Sequence, residues 1–334
     1  MFNVERDGEE KRVLNHDNDR CVGCGICVKV CPTDSLKLGP IVPIARGLID
    51  MELISINANT CVLCGLCAVA CPFDSLSLTI DGEPIKQLSN YPKWCTISKV
   101  NEDECIYCGR CYIACPREAI LFERKLPKRE DFVRGQIAVD EDKCIYCRMC
   151  SEMCPSEAIL LKCNGEDSQS ELDNVIDIDR NKCVYCGVCK RICPEDAITV
   201  VCSTCMESDE LPEANITGST YIIDDDCVNC TWCMDVCPAD AIEIVKPFKG
   251  IIEMIETDDA KCKGESCHAC IDVCPCNTID IIDNKAFTNP KFCNLCGACV
   301  PACPQHIRHV DRKSMELTNI NSISWYEYLD KLLE

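Results

Sequence analysis

The sequence predicts an α+β fold assembled from eight short repeats, and three observations predict it. A phrase of four cysteines, Cys-x-x-Cys-x-x-Cys-x-x-x-Cys-Pro, begins at Cys21, Cys61, Cys105, Cys144, Cys183, Cys227, Cys262 and Cys293. A short apolar stretch precedes it, as in Ile54-Ser55-Ile56, Ile137-Ala138-Val139, Val175-Ile176-Asp177-Ile178 and Tyr221-Ile222-Ile223. Another follows it, as in Ala119-Ile120-Leu121, Ala158-Ile159-Leu160, Ala197-Ile198-Thr199-Val200 and Ala241-Ile242-Glu243-Ile244. Each repeat reads as strand, cysteine loop, short helix, strand. The helix is expected to start at the proline after the fourth cysteine, where a missing N–H costs nothing. An acid follows that proline by two residues in six repeats, at Asp34, Asp74, Glu118, Glu157, Asp196 and Asp240. It would favour the helix dipole. Asn277 and His306 hold the place in the other two.

Cysteine makes up 37 of 334 residues. Such density usually marks a small secreted disulfide scaffold. Here the count is odd, the cysteines stand in tight identical groups, and the first residues are polar and charged rather than a signal peptide. Zinc sites offer Cys-x-x-Cys pairs well apart, without a third cysteine three residues on. The spacing suits iron–sulfur cubes instead: three thiolates wrap one cube, and the fourth, held before a proline, reaches a neighbour. Eight phrases then imply eight [4Fe–4S] clusters.

The formal charge is −21. Each oxidised cluster on four thiolates adds about −2, so a loaded chain carries about −37. That charge argues against nucleic acid and anionic membrane as partners. No apolar run approaches the roughly twenty residues a bilayer requires, so no membrane insertion is expected. The chain is expected to be cytoplasmic, in a reducing and anoxic cell. Aromatics are only 5% of the residues, and successive phrases start 31 to 44 residues apart. Units so small rarely fold without a metal or disulfide, so the clusters are expected to be structural as well, with the apo-chain largely unfolded.

From about Cys21 to His309 the phrase is that of the bacterial-type two-cluster ferredoxins, and the chain resembles four of them fused: a polyferredoxin. The resemblance implies an α+β chain of four tandem ferredoxin-like (βαββαβ) two-cluster modules. They would lie at 1–90 (phrases one and two), 91–170 (three and four), 171–250 (five and six) and 251–310 (seven and eight). A C-terminal tail at 311–334, with Trp325, Tyr328, Leu329 and Leu332 at helical spacing, is a candidate docking helix. The shortest link, 18 residues between phrases seven and eight, suggests that neighbours pair. The other links, 24 to 33 residues, do not decide it, and a nested arrangement stays open.

With neighbours paired, the resemblance implies these ligand sets. Cys21, Cys24 and Cys27 take Cys71, and Cys61, Cys64 and Cys67 take Cys31. Cys105, Cys108 and Cys111 take Cys154, and Cys144, Cys147 and Cys150 take Cys115. Cys183, Cys186 and Cys189 take Cys237, and Cys227, Cys230 and Cys233 take Cys193. Cys262, Cys267 and Cys270 take Cys303, and Cys293, Cys296 and Cys299 take Cys274. In phrase seven four residues, Lys263 to Ser266, separate the first two cysteines; a bulged loop with ligation kept is expected, since Gly264 lets the backbone bend. His268 reads as a surface or supporting residue rather than a ligand.

Glycine follows the second cysteine in five phrases (Gly25, Gly65, Gly109, Gly187, Gly297), which lets N–H groups approach sulfur. Arg148 and Thr231 stand there in phrases four and six, as potential-shifting or merely surface groups. Tyr107, Tyr146 and Tyr185 are expected to shield clusters. Cys95, Cys163, Cys202, Cys205 and Cys276 lie outside the phrases; Cys202-x-x-Cys205 is half a metal motif at most, and plain thiols are the expected reading. The basic stretch 123–134 reads as a solvated loop or an acidic-partner contact, and 38–51 as an inserted loop.

No phosphate loop, nucleophile elbow or hydrolase helix is present, so the chain is not expected to be an enzyme. It reads as an electron-transfer subunit of a larger complex. In length and phrase number it is similar to the polyferredoxin subunits of formylmethanofuran dehydrogenases from methanogenic archaea. That resemblance implies catalytic subunits of that complex as partners, with reduction of CO2 to formylmethanofuran at a tungsten or molybdenum centre elsewhere. It implies ferredoxin, hydrogenase or heterodisulfide reductase as donor. A free multi-electron carrier and a hydrogenase-associated polyferredoxin are the alternatives.

Overall fold

In a computed structural model of the chain, the described residues are 2–126, 128, 135–163, 174–202, 216–318 and 323–333. The first unit runs from the strand Lys11–His16 through helix α1 (Ile26–Lys29), strand Leu36–Leu38, helix α2 (Ile41–Ala45), strand Ile54–Ile56 and helix α3 (Leu66–Ala70) to strand Leu76–Ile80. Its first strand pairs antiparallel with its last, His16 opposite Leu76, and its two inner strands pair with each other, Leu36 opposite Ile56. An added strand, Asn3–Asp7, widens the outer sheet.

The cysteine helices of the later phrases are α4 (Arg110–Ala114), α5 (Met149–Glu152), α6 (Val188–Arg191), α7 (Trp232–Asp235), α8 (Ala269–Asp272) and α9 (Cys299–Ala302). Phrases seven and eight repeat the first pattern: Phe248–Met254 pairs with Arg308–Met315 and Ile279–Ile282 with Lys285–Thr288. The middle four phrases do not pair as neighbours. Ile97–Val100 pairs with Ile242–Val245, and Ile120–Lys125 with Thr217–Ile222, bringing phrase three to phrase six. Gly135–Val139 pairs with Ile198–Cys202, and Ile159–Cys163 with Asn174–Ile178, bringing four to five. Helix α4 packs on α7, and α5 on α6. The expected divisions 91–170 and 171–250 are therefore replaced by an outer unit, 97–125 with 217–245, enclosing an inner unit, 135–202.

The strand pairing gives the reason. Because the outer strands of a unit pair with each other, its entry and exit lie side by side, Gly135 opposite Cys202. The inner strands of the host also end together, Lys125 opposite Thr217. A unit whose ends meet can be spliced into such a turn without stretching either sheet.

A second correction concerns the helices. Each is about one turn long and carries the third cysteine, as Cys27 sits in α1 and Cys111 in α4, so it ends at or before the fourth cysteine rather than starting beyond it. The residue expected in its first turn is instead a left-handed turn position: Asp34 has φ 49, Asp240 φ 48, Asn277 φ 46 and His306 φ 54. Short polar side chains tolerate that conformation best, which explains the acids without a helix dipole.

The segment 38–51 is not all loop: it forms α2, which packs on α8 of the last unit, and Arg46 bonds Asp272 Oδ2 at 2.7 Å and the Cys267 carbonyl at 2.6 Å. The tail forms helix α10 (Ile323–Leu329), which folds back on α3; Leu329 and Leu332 are fully buried and Trp325 meets Tyr91 edge-on at 5.3 Å. Its apolar face is thus occupied within the chain. One core joins Leu14, Leu76 and Leu78 of the first unit with Phe248, Leu295 and the tail. Of the basic stretch 123–134, residues 127 and 129–134 lie outside the described residues.

Joining Lys125 to Thr217 through a two-residue Asn-Gly turn should delete the inner unit and leave the outer one closed. The shortened chain is expected to fold and to lose about a quarter of its iron and acid-labile sulfide, counting two clusters of eight. Loss of half or more, measured by metal analysis, would show that phrases three and six do not form a unit.

Candidate metal centres

Each cysteine loop turns through two left-handed residues. In seven loops one of them stands just before the second cysteine: Gly23 (φ 65), Leu63 (φ 52), Tyr107 (φ 49), Tyr146 (φ 53), Tyr185 (φ 50), Asn229 (φ 52) and Leu295 (φ 59). The one after it has φ between 74 and 88 in the five glycine phrases. Arg148, Thr231 and His268 adopt the same conformation at φ 66, 73 and 56, at a cost of about 1–2 kcal/mol each. His268 is therefore the turn residue of phrase seven, with an exposed side chain. In that phrase the longer spacing is taken up by a three-residue 3-10 turn, Gly264–Ser266, where Gly264 (φ 50) presses against Asn284 so closely that no Cβ would fit.

This winding aims N–H groups at sulfur. The amides of Tyr185, Asn229, Gly264 and Leu295 donate to the first cysteine's Sγ at 3.4–3.5 Å. Those of Ser35, Ala119, Ala158, Ala197 and Ala241 donate to the fourth's at 3.2–3.3 Å. The carbonyls on the other side of the loops take donors from basic side chains. Arg12 reaches Leu63 at 3.0 Å, Arg124 reaches Tyr107 at 3.4 Å and Arg312 reaches Leu295 at 2.9 Å.

The sulfurs gather in sets of three plus one. Cys105, Cys108, Cys111 and Cys237 line one cavity, and Cys227, Cys230, Cys233 and Cys115 another. Cys262, Cys267, Cys270 and Cys303 line a third, so the five-residue step to Cys267 keeps the set intact. Elsewhere the sets show in which sulfurs repel one another: Cys71 acts on Cys21, Cys24 and Cys27, and Cys31 on Cys64 and Cys67. Cys154 acts on Cys186 and Cys189, and Cys274 on Cys293, Cys296 and Cys299. The fourth cysteines of the middle phrases therefore stand apart from the neighbour-paired sets: Cys237 faces phrase three rather than five, Cys154 faces five rather than three, and Cys115 faces six rather than four. Cys193 lies in the inner core with Cys150.

Burial, then repulsion within a set, raises these thiols: Cys21 to about 11, and Cys111 and Cys233 to about 12. Thiols so placed stay protonated without metal and give up protons on binding it. Among the described residues no three His, Cys, Asp or Glu side chains close on a single ion. Four sulfurs around a cavity, each set drawing its fourth from a partner loop, fit a polynuclear cube better than one zinc ion.

The sets also meet across units. Cys296 acts on Cys24, and both Cys230 and Cys296 act on Cys276. Cys108 and Cys186 share a core at the seam between outer and inner units. Cys276, outside the phrases, is thus a fully buried thiol between sets, its carbonyl accepting from Trp232 Nε1 at 2.8 Å. Cys95 is half-buried, its amide bonded to the Glu316 carbonyl at 2.8 Å. Cys205 lies outside the described residues, as do the side chains of Cys163 and Cys202. Tyr185 is buried and packs over Gly135, while Tyr107 and Tyr146 are half-buried. Thr231 is buried at a seam, donating to the Lys291 carbonyl at 3.1 Å, whereas Arg148 is exposed.

Comparison with known families agrees with this chemistry. The 4Fe-4S dicluster domain matches residues 60–119, 98–161, 143–197 and 219–275, and the 4Fe-4S binding domain matches 14–37 and 286–308. Together they take in all eight phrases. The chain belongs to the ferredoxin-type 4Fe–4S proteins and, having several such domains in one polypeptide, is a polyferredoxin. It is 55% identical over 137 residues to the polyferredoxin protein FwdF of Methanocaldococcus jannaschii, a match over 41% of this chain and 39% of that one. Along 99% of its length it also resembles a chain of the formate dehydrogenase–heterodisulfide reductase–formylmethanofuran dehydrogenase complex from Methanospirillum hungatei. That match has a TM-score of 0.62 and 27% identity and covers 91% of the other chain. Some dicluster matches join phrases that the fold separates, two with three, three with four and six with seven, because one repeat looks like the next in sequence.

The exchange of fourth cysteines can be read by metal counting. Cys108→Ser with Cys237→Ser strikes one set and should cost about four irons per chain; Cys108→Ser with Cys154→Ser strikes two and should cost about eight. The reverse order would restore neighbour pairing.

Proposed function

We propose that the eight sets hold eight [4Fe–4S] clusters in four βαββαβ two-cluster units, one nested in another. On this reading the chain is a non-catalytic electron-transfer subunit of a larger complex of the formylmethanofuran dehydrogenase kind. Three of the sets place four thiols around a cavity lined by apolar residues such as Ile242, Ile120 and Ile281. A cluster bound there exchanges one electron at a time. The observation that carries the reading is that no unit stands alone: its cysteine loops meet those of a neighbour at Cys24 with Cys296, Cys230 with Cys276, and Cys108 with Cys186. A store of independent clusters needs no such contacts, whereas a relay does. Similarity to FwdF and to the Methanospirillum complex supports the choice of complex. No helix of the described residues is long and apolar enough to cross a membrane.

Anaerobically isolated chain should hold about 32 irons and 32 acid-labile sulfides, from eight cubes of four each. In native extract it should elute with catalytic subunits, and alone it should exchange electrons with a viologen dye while converting no substrate. Zinc without sulfide would overturn the cluster reading; elution as a lone chain would overturn the subunit reading in favour of a free carrier.

A further inference from the structure

In a chain with 34 basic and 55 acidic residues, basic side chains are expected at the surface in pairs with carboxylates. Arg308 and Arg312 are not there: among the described residues they are the only buried Arg, Lys, Asp or Glu. Arg312 lies with its guanidinium carbon 4.6 Å from the centre of the Phe248 ring and donates to the carbonyls of Leu295 (2.9 Å), Cys296 (2.6 Å) and Leu332 (3.2 Å). Arg308 donates to Cys270 Sγ at 3.3 Å and Thr288 Oγ1 at 2.5 Å. Half-buried Lys246 donates to the carbonyls of Cys293 (3.0 Å) and Lys291 (2.5 Å). Neither these bonds nor the ion pairs of the described residues give any of the three a carboxylate. A buried cation left without a counter-charge costs several kcal/mol.

The counter-charge they face is sulfur: Arg308 also bonds Cys270 and Arg312 also faces Cys24, but the one set that all three act on is that of Cys293. Lys246 and Arg308 act on Cys293, Arg312 on Cys296, and Arg308 on Cys299 and Cys274. The loops of phrases two and three are treated differently: Arg6, Arg12 and Arg124 cap them from exposed or half-exposed positions, where water screens their charge. The set at Cys293 is also the one that three others approach: Cys24 at Arg312, Cys230 through Cys276, and Cys270 at Arg308.

Resting on the cluster reading above, we propose that Arg308, Arg312 and Lys246 are positioning residues that make the set Cys293, Cys296, Cys299 and Cys274 the most easily reduced in the chain. Adding one electron makes a cluster more negative by one unit. Fixed positive charge in a water-poor core favours that state, and net charge and hydrogen bonding are the levers that set such potentials. Three unpaired cations at the meeting point of three neighbouring sets would collect electrons there from each side.

The test is a dithionite titration of the anaerobic full-length chain followed by electron paramagnetic resonance, with iron and sulfide measured on every sample. Cys296→Ser should remove or displace the first signal to appear, which assigns it. Arg312→Met, Arg308→Met and Lys246→Met should each move that signal at least tenfold against reduction, 59 mV for one electron, with iron unchanged. Arg312→Lys should recover most of the loss, as a merely structural role would not. Should an arginine variant fail to fold, Lys246→Met at its half-exposed position decides. A first signal that stays in place in iron-replete variants, or that belongs to another set, overturns the proposal. Wild-type chain without iron and sulfide would instead sink the cluster reading on which it rests.

Discussion

The structure depends on the exchange of one cysteine between two loops. Within a repeat, three sulfurs sit on one turn of backbone and cannot complete a set; the fourth points across to the partner. Cys115 leaves its own loop for the set of Cys227, Cys230 and Cys233, while Cys237 comes back to Cys105, Cys108 and Cys111. Neither repeat is finished without the other, so the two-repeat unit is the smallest piece that completes a set. The short helices pack on each other, α4 on α7, because that contact brings the third cysteines and the departing fourth cysteines together.

Order along the chain matters less than this exchange. A unit closes by pairing its first strand with its last, and that leaves both chain ends at one edge. Whole units can then be strung in line or inserted into another's inner turn at the same small cost in loop closure. The inner unit between Lys125 and Thr217 is such an insertion. Its attachment adds apolar contacts of Val184, Val188 and Ile192 with Ile106 and Leu126, so it is packed on its host rather than tethered.

What could be read from the sequence follows from the same physics. The cysteine sets, strand positions and eightfold repeat are local, and the four-cysteine phrase writes them plainly. The insertion in phrase seven was also legible, since glycine at 264 marks a place where the backbone presses close to Asn284. Pairing was not legible: links of 24 to 33 residues suit either scheme, and the strands of one repeat resemble those of the next. Nothing in the phrase names the partner that will supply the fourth sulfur. The misplaced helix has a different source. Proline followed by an acid is a common helix start, yet here the acid occupies a left-handed turn, and Asn277 and His306 were the signal that conformation and not dipole mattered. The two buried arginines carried no sequence mark, because burial of Arg308 and Arg312 depends on how the last strand meets Phe248 and the tail.

The loops also explain where the positive charge of an acidic chain goes. Turning N–H groups inward to sulfur leaves the carbonyls of the same peptides facing outward. A carbonyl at a half-buried loop cannot be left unpaired without cost. Water serves on an open surface, but these loops lie at seams between units. Arginine suits the place: its fork offers five donors, and its charge offsets that of the thiolates one peptide away. Arg124 on Tyr107 and Arg312 on Leu295 occupy equivalent positions after their own phrases, and Arg12 reaches Leu63 from the strand paired beside that position; each meets the residue before the second cysteine. The same bonds therefore satisfy the backbone and soften repulsion between sets that must lie close together. How far each does so depends on burial, which rises from Arg12 to Arg312 as the seam closes around it.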